Sequence, residues 1–305
     1  MADGAELEAG SLLLAVPNFS AGPGSRAVAE IGIALEGGAA RVLDLHSDAI
    51  HNRSVFTLAA PPADLPAALD SAAAAAIAGI DLREHAGAHP RIGAIDVCPV
   101  VYTDVAARDD AVGAAREVAA LLAERDLPVF LYGELASAPE RRERHFFRAG
   151  GFEGLAARMA SGELTPDLGP TEPHPTAGAV LVTARPPLAA FNVELAGIGA
   201  PAGREIAAAL RESGGGMAGV RAIALELRPG TVQISTNVHD PVATPLALVV
   251  AEIERLAGPL GGRAEAAELI GLIPEAALRD YPEHVPIRDL DLASRTVEAR
   301  LASAG

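Results

Sequence analysis

The stretch GELTPDLGPTEPHPTAG, residues 162–178, decides how the fold is predicted, because it separates two patterned halves of the chain. Its prolines include Pro166, Pro170, Pro173 and Pro175, and proline neither donates a backbone hydrogen bond nor continues a helix. We therefore expect irregular structure here, as either a linker between two units or a lid over a binding site.

On the amino-terminal side of this stretch, hydrophobic patterns and turn signals predict a strand, a helix, two strands, a helix and a strand. The first strand is expected at 12–16 and the last at 94–102. A helix at 109–124, a buried strand at 129–132 and a helical region then lead to residue 161. The order is βαββαβ followed by an extension.

On the carboxyl-terminal side, a strand at 180–184 precedes a second copy of this order. The copy consists of a strand, a helix, a hairpin, a helix and a weaker strand, at 189–195, 203–213, 222–238, 245–257 and 265–270. We predict an α/β (α+β) protein with two ferredoxin-like βαββαβ subdomains, 1–187 and 188–305, and an active-site cleft between them.

Composition excludes several classes of function. Half of the 305 residues are hydrophobic, which argues against a disordered chain, and the length suits about two domains. The net charge is −16, aromatic residues make up 3% of the chain and tryptophan is absent, so a nucleic-acid partner is not expected. All 24 basic residues are arginine, which excludes Schiff-base chemistry on lysine.

The single cysteine, Cys98, cannot form an intrachain disulfide or a thiolate metal cluster, which favours a reducing compartment. It lies in an apolar predicted strand and is expected to be a buried structural thiol. The apolar run at 12–16 is too short for a signal peptide or a membrane span. We therefore expect a soluble cytoplasmic protein without a membrane partner.

The stretch HAGAHPRIGAID, residues 85–96, contains the first candidate for chemistry. On a helix, His85 and His89 would share one face and bind a metal, but Gly87 and Pro90 favour a loop. In a loop, His89 is a candidate general acid or base, since imidazole alone titrates near neutral pH without perturbation. The alternative is that each histidine only forms hydrogen bonds within the loop.

A second polar stretch contains Asp44, His46, Asp48 and His51. Asp44 and His46 are two residues apart at a strand end, which places both side chains on one face and is a spacing used by metal-dependent phosphohydrolases. A polar hairpin connection explains the same residues, and no second ligand cluster completes a two-metal centre. A metal-dependent hydrolase is therefore kept as a rival interpretation.

The stretch VPNFSAGPGS, residues 16–25, precedes a predicted helix and has the composition of an anion-binding loop. Its spacing fits neither the P-loop nor the dinucleotide fingerprint. Ser25 is explained as a helix N-cap, whereas Asn18 is placed to turn its amide towards a ligand.

Seven stretches together carry a family resemblance. They are VPNFS (16–20), NR (52–53), HAGAHPRIGAIDVCP (85–99), LYGE (131–134), AFN (190–192), QISTN (233–237) and LIGLIP (269–274). In order and spacing they resemble the formiminotransferase domain of formiminotransferase-cyclodeaminase along nearly the whole chain.

The resemblance implies a glutamate formimidoyltransferase, which moves the formimino group of N-formimino-L-glutamate to N5 of tetrahydrofolate in histidine degradation. It implies two similar α/β subdomains with folate between them, His89 as the catalytic histidine, and no metal. The folate-contacting segment corresponds to Gly169, Pro170, Thr171, Glu172, Pro173, His174, Pro175, Thr176, Ala177 and Gly178. The chain ends where a cyclodeaminase domain would continue, so that activity is expected to be missing.

Two positions depart from the animal members of that family. Ala177 replaces an aromatic residue, which leaves stacking on the pterin at that point without a side chain to provide it. His46 replaces a second acidic residue after Asp44.

The substrates bring several carboxylates, which an acidic protein repels unless arginines line the site. Arg53, Arg91 and Arg185 are the candidates, because each is expected at a strand or loop end and arginine binds carboxylates bidentately. We expect a homodimer, the commonest assembly of soluble enzymes. The alternatives within folate chemistry are a folate-binding protein that has lost transfer and an enzyme for other N5-substituted folates such as 5-formyltetrahydrofolate.

Overall fold

The computed structural model describes residues 12–49, 51–87, 90–288 and 292–303. The chain forms two compact units, the first ending at Arg185 and the second beginning at Pro186. Each unit contains its own sheet with helices packed against it. This confirms the predicted mixture of helices and strands, whereas the predicted cleft between the subdomains stays a prediction.

The first unit contains seven strands and five α-helices in the part of the chain that is described. The strands are β1 (Leu13–Ala15), β2 (Asn18–Phe19), β3 (Arg41–Asp48), β4 (Arg53–Ala60), β5 (Ile95–Val101), β6 (Val129–Leu131) and β7 (Val180–Arg185). The helices are α1 (Arg26–Leu35), α2 (Leu65–Gly79), α3 (Arg108–Glu124), α4 (Arg144–Arg148) and α5 (Gly151–Ala160).

The strands of the first unit form one sheet, in which β1 and β2 lie end to end between β4 and β5. The strand predicted at 12–16 is observed as β1, and β2, which was not predicted, continues its path beyond Pro17, a residue that cannot donate to the ladder. β3 pairs with β4 on one side, and β7 and β6 extend the other side through parallel pairing. The strand that follows the proline-rich stretch thus returns to the first sheet.

Helices cover both faces of the first sheet. α1, α2 and α3 bury their apolar sides in one core with Phe19, Phe56 and Val182, while Phe147 of α4 and Leu155 of α5 pack on the opposite face near Phe130. The Ser25 side chain accepts a hydrogen bond from the Val28 N–H at 3.3 Å, so the predicted N-cap of α1 is confirmed.

Cys98 lies in the core between the first sheet and helices α1, α2 and α3, and has no exposed surface. Burial raises the pKa of its thiol to about 12. The expectation of a buried structural thiol is therefore confirmed.

The described residues of the second unit form β8 (Leu188–Ala196), α6 (Ala200–Leu210), β9 (Val220–Arg228), β10 (Thr231–His239), α7 (Leu246–Ala257), β11 (Arg263–Ile270), α8 (Leu292–Arg295) and α9 (Val297–Ser303). The four strands form an antiparallel sheet in the order β11, β8, β10, β9. Helices α6 and α7 pack on one face of this sheet. The predicted β9–β10 hairpin is confirmed, and its turn places Gly230 at a φ of 79°.

The proline-rich stretch 162–178 contains no helix or strand, as predicted, but it is fastened to the first unit. The Ala94 N–H donates to the Ala177 carbonyl and the Ala179 N–H to the Ile92 carbonyl, both at 2.9 Å. Gly93 and Gly178 face each other across this bridge, and a Cβ on Gly93 would clash with the Ala179 carbonyl oxygen. The close approach requires glycine at position 93.

We predict that Gly93→Ala lowers the free energy of unfolding by about 1–3 kcal/mol, because the added methyl has no room. Gly113→Ala is the matched control, since Gly113 lies in α3 with open space around its Cβ position. The control should gain about 0.5–1 kcal/mol through helix propensity. Urea unfolding followed by circular dichroism measures both, and equal effects of the two variants would contradict the role of Gly93.

Candidate functional site

Polar side chains gather on the first sheet where Asn18 of β2, Arg53 of β4 and Asp96 of β5 lie close together. Phe56 and Leu58 of β4 point into the core under α1, α2 and α3. Because successive side chains of a strand point to opposite faces, Arg53 lies on the other face of the sheet. The Arg53 guanidinium donates to the Asn18 Oδ1, and the Asn18 amide donates to the Val16 carbonyl at 2.8 Å. The amide of Asn18 therefore positions the guanidinium of Arg53.

Asp96 is the buried carboxylate of this region, with 2% of its surface exposed. One oxygen accepts the Ile92 N–H at 2.8 Å, and the other accepts the Arg148 guanidinium. Because Arg148 belongs to α4, Asp96 joins this helix to Ile92 and to β5. A charge-assisted contact of this kind is stronger than one between neutral groups.

Four arginines interact through their charges, Arg53 with Arg144 and Arg148, and Arg185 with Arg144; we call Arg53, Arg144, Arg148 and Arg185 the arginine cluster. The pKa of Arg53 is lowered to about 10, mainly by burial; the charge of Asp96 opposes this shift, and the charges of Arg148 and Arg144 contribute to it. Burial also lowers the pKa of Arg185 to about 10, and Arg144 acts in the same direction. A site that carries this much positive charge is suited to anionic ligands.

Two members of the arginine cluster, Arg144 and Arg148, were not predicted from the sequence. They are four residues apart on α4 and so lie on one side of the helix. The signal was present in the arginine-rich stretch RRERHFFR, residues 141–148, which precedes the proline-rich stretch.

The loop that begins at His85 is docked on the turn between β3 and β4. The His85 Nε2 lies 2.8 Å from the Asn52 carbonyl oxygen, and the Asn52 amide donates to the Ala86 carbonyl at 2.9 Å. The Arg91 guanidinium donates to the His85 carbonyl at 2.6 Å. A Cβ on Gly87 would clash with the His51 carbonyl oxygen, so this close docking explains the glycine.

His85, Arg53 and Arg91 line one small cavity of about 10 Å³ together with Asp96. Two of the three arginines predicted to bind carboxylates are thus brought together, while Arg185 lies at the end of β7. His89, the predicted catalytic residue, and Ala88 lie outside the described residues.

A larger cavity of about 680 Å³ lies between α5 and part of the proline-rich stretch. Its lining includes Phe152, Met159 and residues 171–175, which form the middle of the predicted folate segment. Ala177 is fully buried in the core under α1, α2 and α3 and does not line this cavity. Glu153 on the cavity wall lies 3.9 Å from the Arg91 guanidinium, so Arg91 contacts the linings of both cavities.

His174 on the wall of the larger cavity has a fixed ring. Its Nδ1 accepts the backbone N–H groups of Thr176 at 3.3 Å and Ala177 at 3.0 Å. An Nδ1 that accepts carries no proton, so the neutral ring has its N–H at Nε2. His174 is thereby oriented as a hydrogen-bond donor.

Glu134 of the LYGE stretch has a structural explanation. Its carboxylate accepts the Tyr102 hydroxyl at 2.5 Å and the Arg108 Nε at 2.9 Å. Burial and this carboxylate raise the pKa of Tyr102 to about 12. Glu134 therefore joins the end of β5 to the start of α3 and to the turn after β6.

The polar stretch on β3 does not assemble a metal site within the described part of the chain. The His51 Nδ1 lies 3.0 Å from Asp48, and the His51 N–H donates to the same carboxylate at 2.8 Å. No three His, Cys, Asp or Glu side chains among the described residues could share one ion. The described residues also form no helix that is both long and apolar enough to cross a bilayer.

In the second unit, polar side chains of three adjacent strands project from the face opposite α6 and α7. Asn192 and Glu194 lie on β8, Gln233 on β10 and Glu268 on β11. The Glu268 Oε2 accepts the amides of Asn192 at 3.0 Å and Gln233 at 3.4 Å. Asn192 and Gln233 belong to two of the stretches that carried the family resemblance, but the sequence alone assigned them no role.

Comparison with known proteins finds similarity along both units. A family model described as "Formiminotransferase domain, N-terminal subdomain" matches residues 12–185, and one described as "Formiminotransferase domain" matches residues 190–291. Glutamate formimidoyltransferase of Streptococcus pyogenes serotype M1 is 35% identical over 291 residues, which cover 94% of this chain and 97% of that protein.

Two further relatives differ in length. Glutamate formimidoyltransferase of Thermoplasma acidophilum is 34% identical over 282 residues, covering 90% of this chain and 92% of that protein. Formimidoyltransferase-cyclodeaminase of Rattus norvegicus is 36% identical over 278 residues, covering 88% of this chain and 51% of that protein. The chain thus spans about half the length of the cyclodeaminase-containing relative.

The docked position of His85 predicts a pH dependence of stability. Burial, and secondarily the charge of Arg91, lowers the pKa of His85 below its usual value of 6.5. The unfolded chain therefore binds a proton at this residue more readily, so its contribution to stability is complete above pH 6.5 and is lost as the pH falls below that value.

We expect the melting temperature to fall less between pH 7 and pH 5 in His85→Gln than in the wild type, since only the wild type protonates here. His145→Gln is the control, because His145 is an exposed residue of α4. An equal fall of the melting temperature in the wild type and in His85→Gln between pH 7 and pH 5 would contradict the assignment.

Proposed function

The chain belongs to the formiminotransferase domain family, and we propose that it is a glutamate formimidoyltransferase, which transfers the formimino group from N-formimino-L-glutamate to N5 of tetrahydrofolate. The relatives from Streptococcus pyogenes and Thermoplasma acidophilum, which match over nearly their full length, carry that name. The arginine cluster is the observation that carries the assignment of substrates, because both co-substrates are anions and the chain as a whole is strongly acidic.

Carboxylate binding is assigned to Arg53, Arg144 and Arg185 of the arginine cluster. Arg148 is committed to Asp96 and holds α4 in place. Arg91 stays a candidate, although its guanidinium already donates to the His85 carbonyl and therefore also holds the loop. A planar guanidinium binds a carboxylate through two parallel N–H groups, which fixes the orientation of the substrate.

His89 is proposed as the general base and acid. N5 of tetrahydrofolate attacks the formimino carbon, and the neutral imidazole accepts the proton that N5 loses. The imidazolium then donates this proton to the glutamate nitrogen as the bond between carbon and that nitrogen breaks. Such proton transfer accelerates a reaction by about 10² to 10⁴-fold. Two residues that flank His89 in the sequence support this assignment, because His85 contacts the Asn52 carbonyl and Arg91 donates to the His85 carbonyl.

The folate-contacting role of residues 169–178 is supported by the larger cavity. Its volume of about 680 Å³ lies within the range of small-molecule sites, and residues 171–175 form part of its wall. Phe152 offers an aromatic ring in this cavity, while the buried Ala177 offers none. We therefore propose that Phe152 packs against the ligand in place of the aromatic residue missing at 177.

We further propose that the two units are duplicated ferredoxin-like subdomains, since βαββαβ order occurs in both. The two sheets share a strand order. In the first unit β3 pairs with β4, β4 pairs with β1 and β2, and these two pair with β5; in the second unit the corresponding order is β9, β10, β8, β11. A homodimer is supported by β9, an edge strand in the described sheet on which Ile223, Leu225 and Leu227 are exposed. A cytoplasmic location is likewise proposed.

Mixing the protein with tetrahydrofolate and N-formimino-L-glutamate should release glutamate and form 5-formiminotetrahydrofolate. We predict that His89→Ala lowers kcat by about 10² to 10⁴-fold with little change in folate affinity, and that His85→Ala lowers it less. An enzyme-coupled glutamate assay measures these rates.

Failure of the wild type to release glutamate would refute the proposed function. Turnover with 5-formyltetrahydrofolate alone, or folate binding without turnover, would favour the two alternatives within folate chemistry. A properly folded His89→Ala variant with normal kcat would refute the role of His89 while leaving the activity in place.

Tetrahydrofolate should slow amide exchange at Thr171, Glu172 and His174, the residues of 171–175 that carry an N–H, and in α5, because binding orders the segments that it contacts. Hydrogen exchange followed by mass spectrometry, with and without saturating ligand, measures this. The exposed turn at 36–39 is the internal control, since it lies outside the cavity lining. Unchanged exchange in 171–175 would contradict the folate contact.

A further inference from the structure

Glu268 is a half-buried carboxylate without a cationic partner among the described residues. Its neighbour on the same sheet face, Glu194, is matched by the Arg288 guanidinium at 2.7 Å. Within the part of the chain that the structure describes, Glu268 instead receives the neutral amides of Asn192 and Gln233, and both donate to the same oxygen, Oε2. A carboxylate that is partly removed from water gains little compensation from two neutral donors and is suited to a further N–H donor or a positive charge.

The two amides leave their carbonyl oxygens as acceptors. Each amide nitrogen donates to Glu268, so the Asn192 Oδ1 and the Gln233 Oε1 remain to accept hydrogen bonds. Phe191, Val193, Val232 and Ile234 point into the helix-side core, and alternation places these three polar side chains on the other face. The group formed by Glu268, Asn192 and Gln233, which we call the acceptor face, therefore presents acceptors and one negative charge.

We propose that the acceptor face binds an amidine-type edge, a planar N–C–N unit with two N–H groups. A carboxylate accepts two parallel N–H groups from such an edge as it does from a guanidinium. This inference rests on the proposed function, because both substrates carry the edge: the formimino group of N-formimino-L-glutamate, and the 2-amino group with N3–H in the pterin of tetrahydrofolate.

Glu268→Gln tests the proposal, since glutamine keeps the shape of the side chain and removes its charge. The neighbouring amides can rotate to pair with the new amide, so the sheet should tolerate the change. We expect the KM or Kd for the bound substrate to rise about 10 to 100-fold, the size of one charge-assisted contact, with kcat changed far less. Glu265→Gln is the matched control, because Glu265 is exposed on the same strand and pairs with Arg263.

The two arms of the experiment identify the ligand. A raised KM for N-formimino-L-glutamate with unchanged tetrahydrofolate binding assigns the acceptor face to the formimino group. A raised Kd for tetrahydrofolate with unchanged KM for the other substrate assigns it to the pterin. Both constants within twofold of the wild type, in a variant with wild-type melting temperature, overturn the proposal and leave Glu268 with a structural role.

A second measurement uses the wild-type protein and so does not depend on whether a variant folds. Formamidine and isocytosine are fragments that carry only the edge of one or the other substrate, and one of them should inhibit the wild-type enzyme competitively against the substrate it imitates. If neither fragment inhibits the enzyme, the proposal is overturned. Because calorimetric titration with the same fragments does not depend on turnover, it also decides the case of a wild-type protein that releases no glutamate, which would refute only the proposed function.

Discussion

The buried carboxylate of Asp96 is the contact on which the arrangement of the first unit depends. It accepts the Ile92 N–H and the Arg148 guanidinium, and its negative charge also favours the charged form of Arg53. One side chain thereby joins β5, the 85–93 loop and α4. Removing one partner from a buried pair costs about 3–5 kcal/mol in other proteins, because the remaining charge is left without compensation. The arginine cluster would also lose a buried negative charge that opposes its own positive charge.

Much of the fold could be predicted because local signals and packing agree. Ser25 begins α1, the Pro229–Gly230 turn joins β9 to β10, and periodic apolar residues place the long helices. The pairing of β7 was not predictable in this way. β7 lies between β5 and β6 and is parallel to both. A long stretch of chain separates it from these partners, and a hydrophobic pattern does not indicate which distant strands pair. The short strand β2 was missed for a local reason, because Pro17, which has no N–H, indicated that the first strand ends there.

The site could be predicted only in part. Arg53 and Arg91 line one cavity because residues 85–87 dock on the turn after β3. This docking depends on backbone carbonyls and on Gly87, and the types of the side chains do not predict it. Arg144 and Arg148 act together through helical spacing, but the short helix α4 did not stand out within a broad helical region. The acceptor face required strand register, because Asn192, Gln233 and Glu268 are brought together by pairing across β8, β10 and β11.

Cys98 gives the first unit a chemical reporter of its own opening. The thiol lies within β5, has no exposed surface, and its pKa of about 12 leaves almost no thiolate at neutral pH. Thiol reagents can therefore reach it only in molecules in which β5 has separated from the helices that cover it. Since it is the single cysteine of the chain, the labelling rate of the native protein measures how often this core opens, without mutation and without interference from other sulfur atoms.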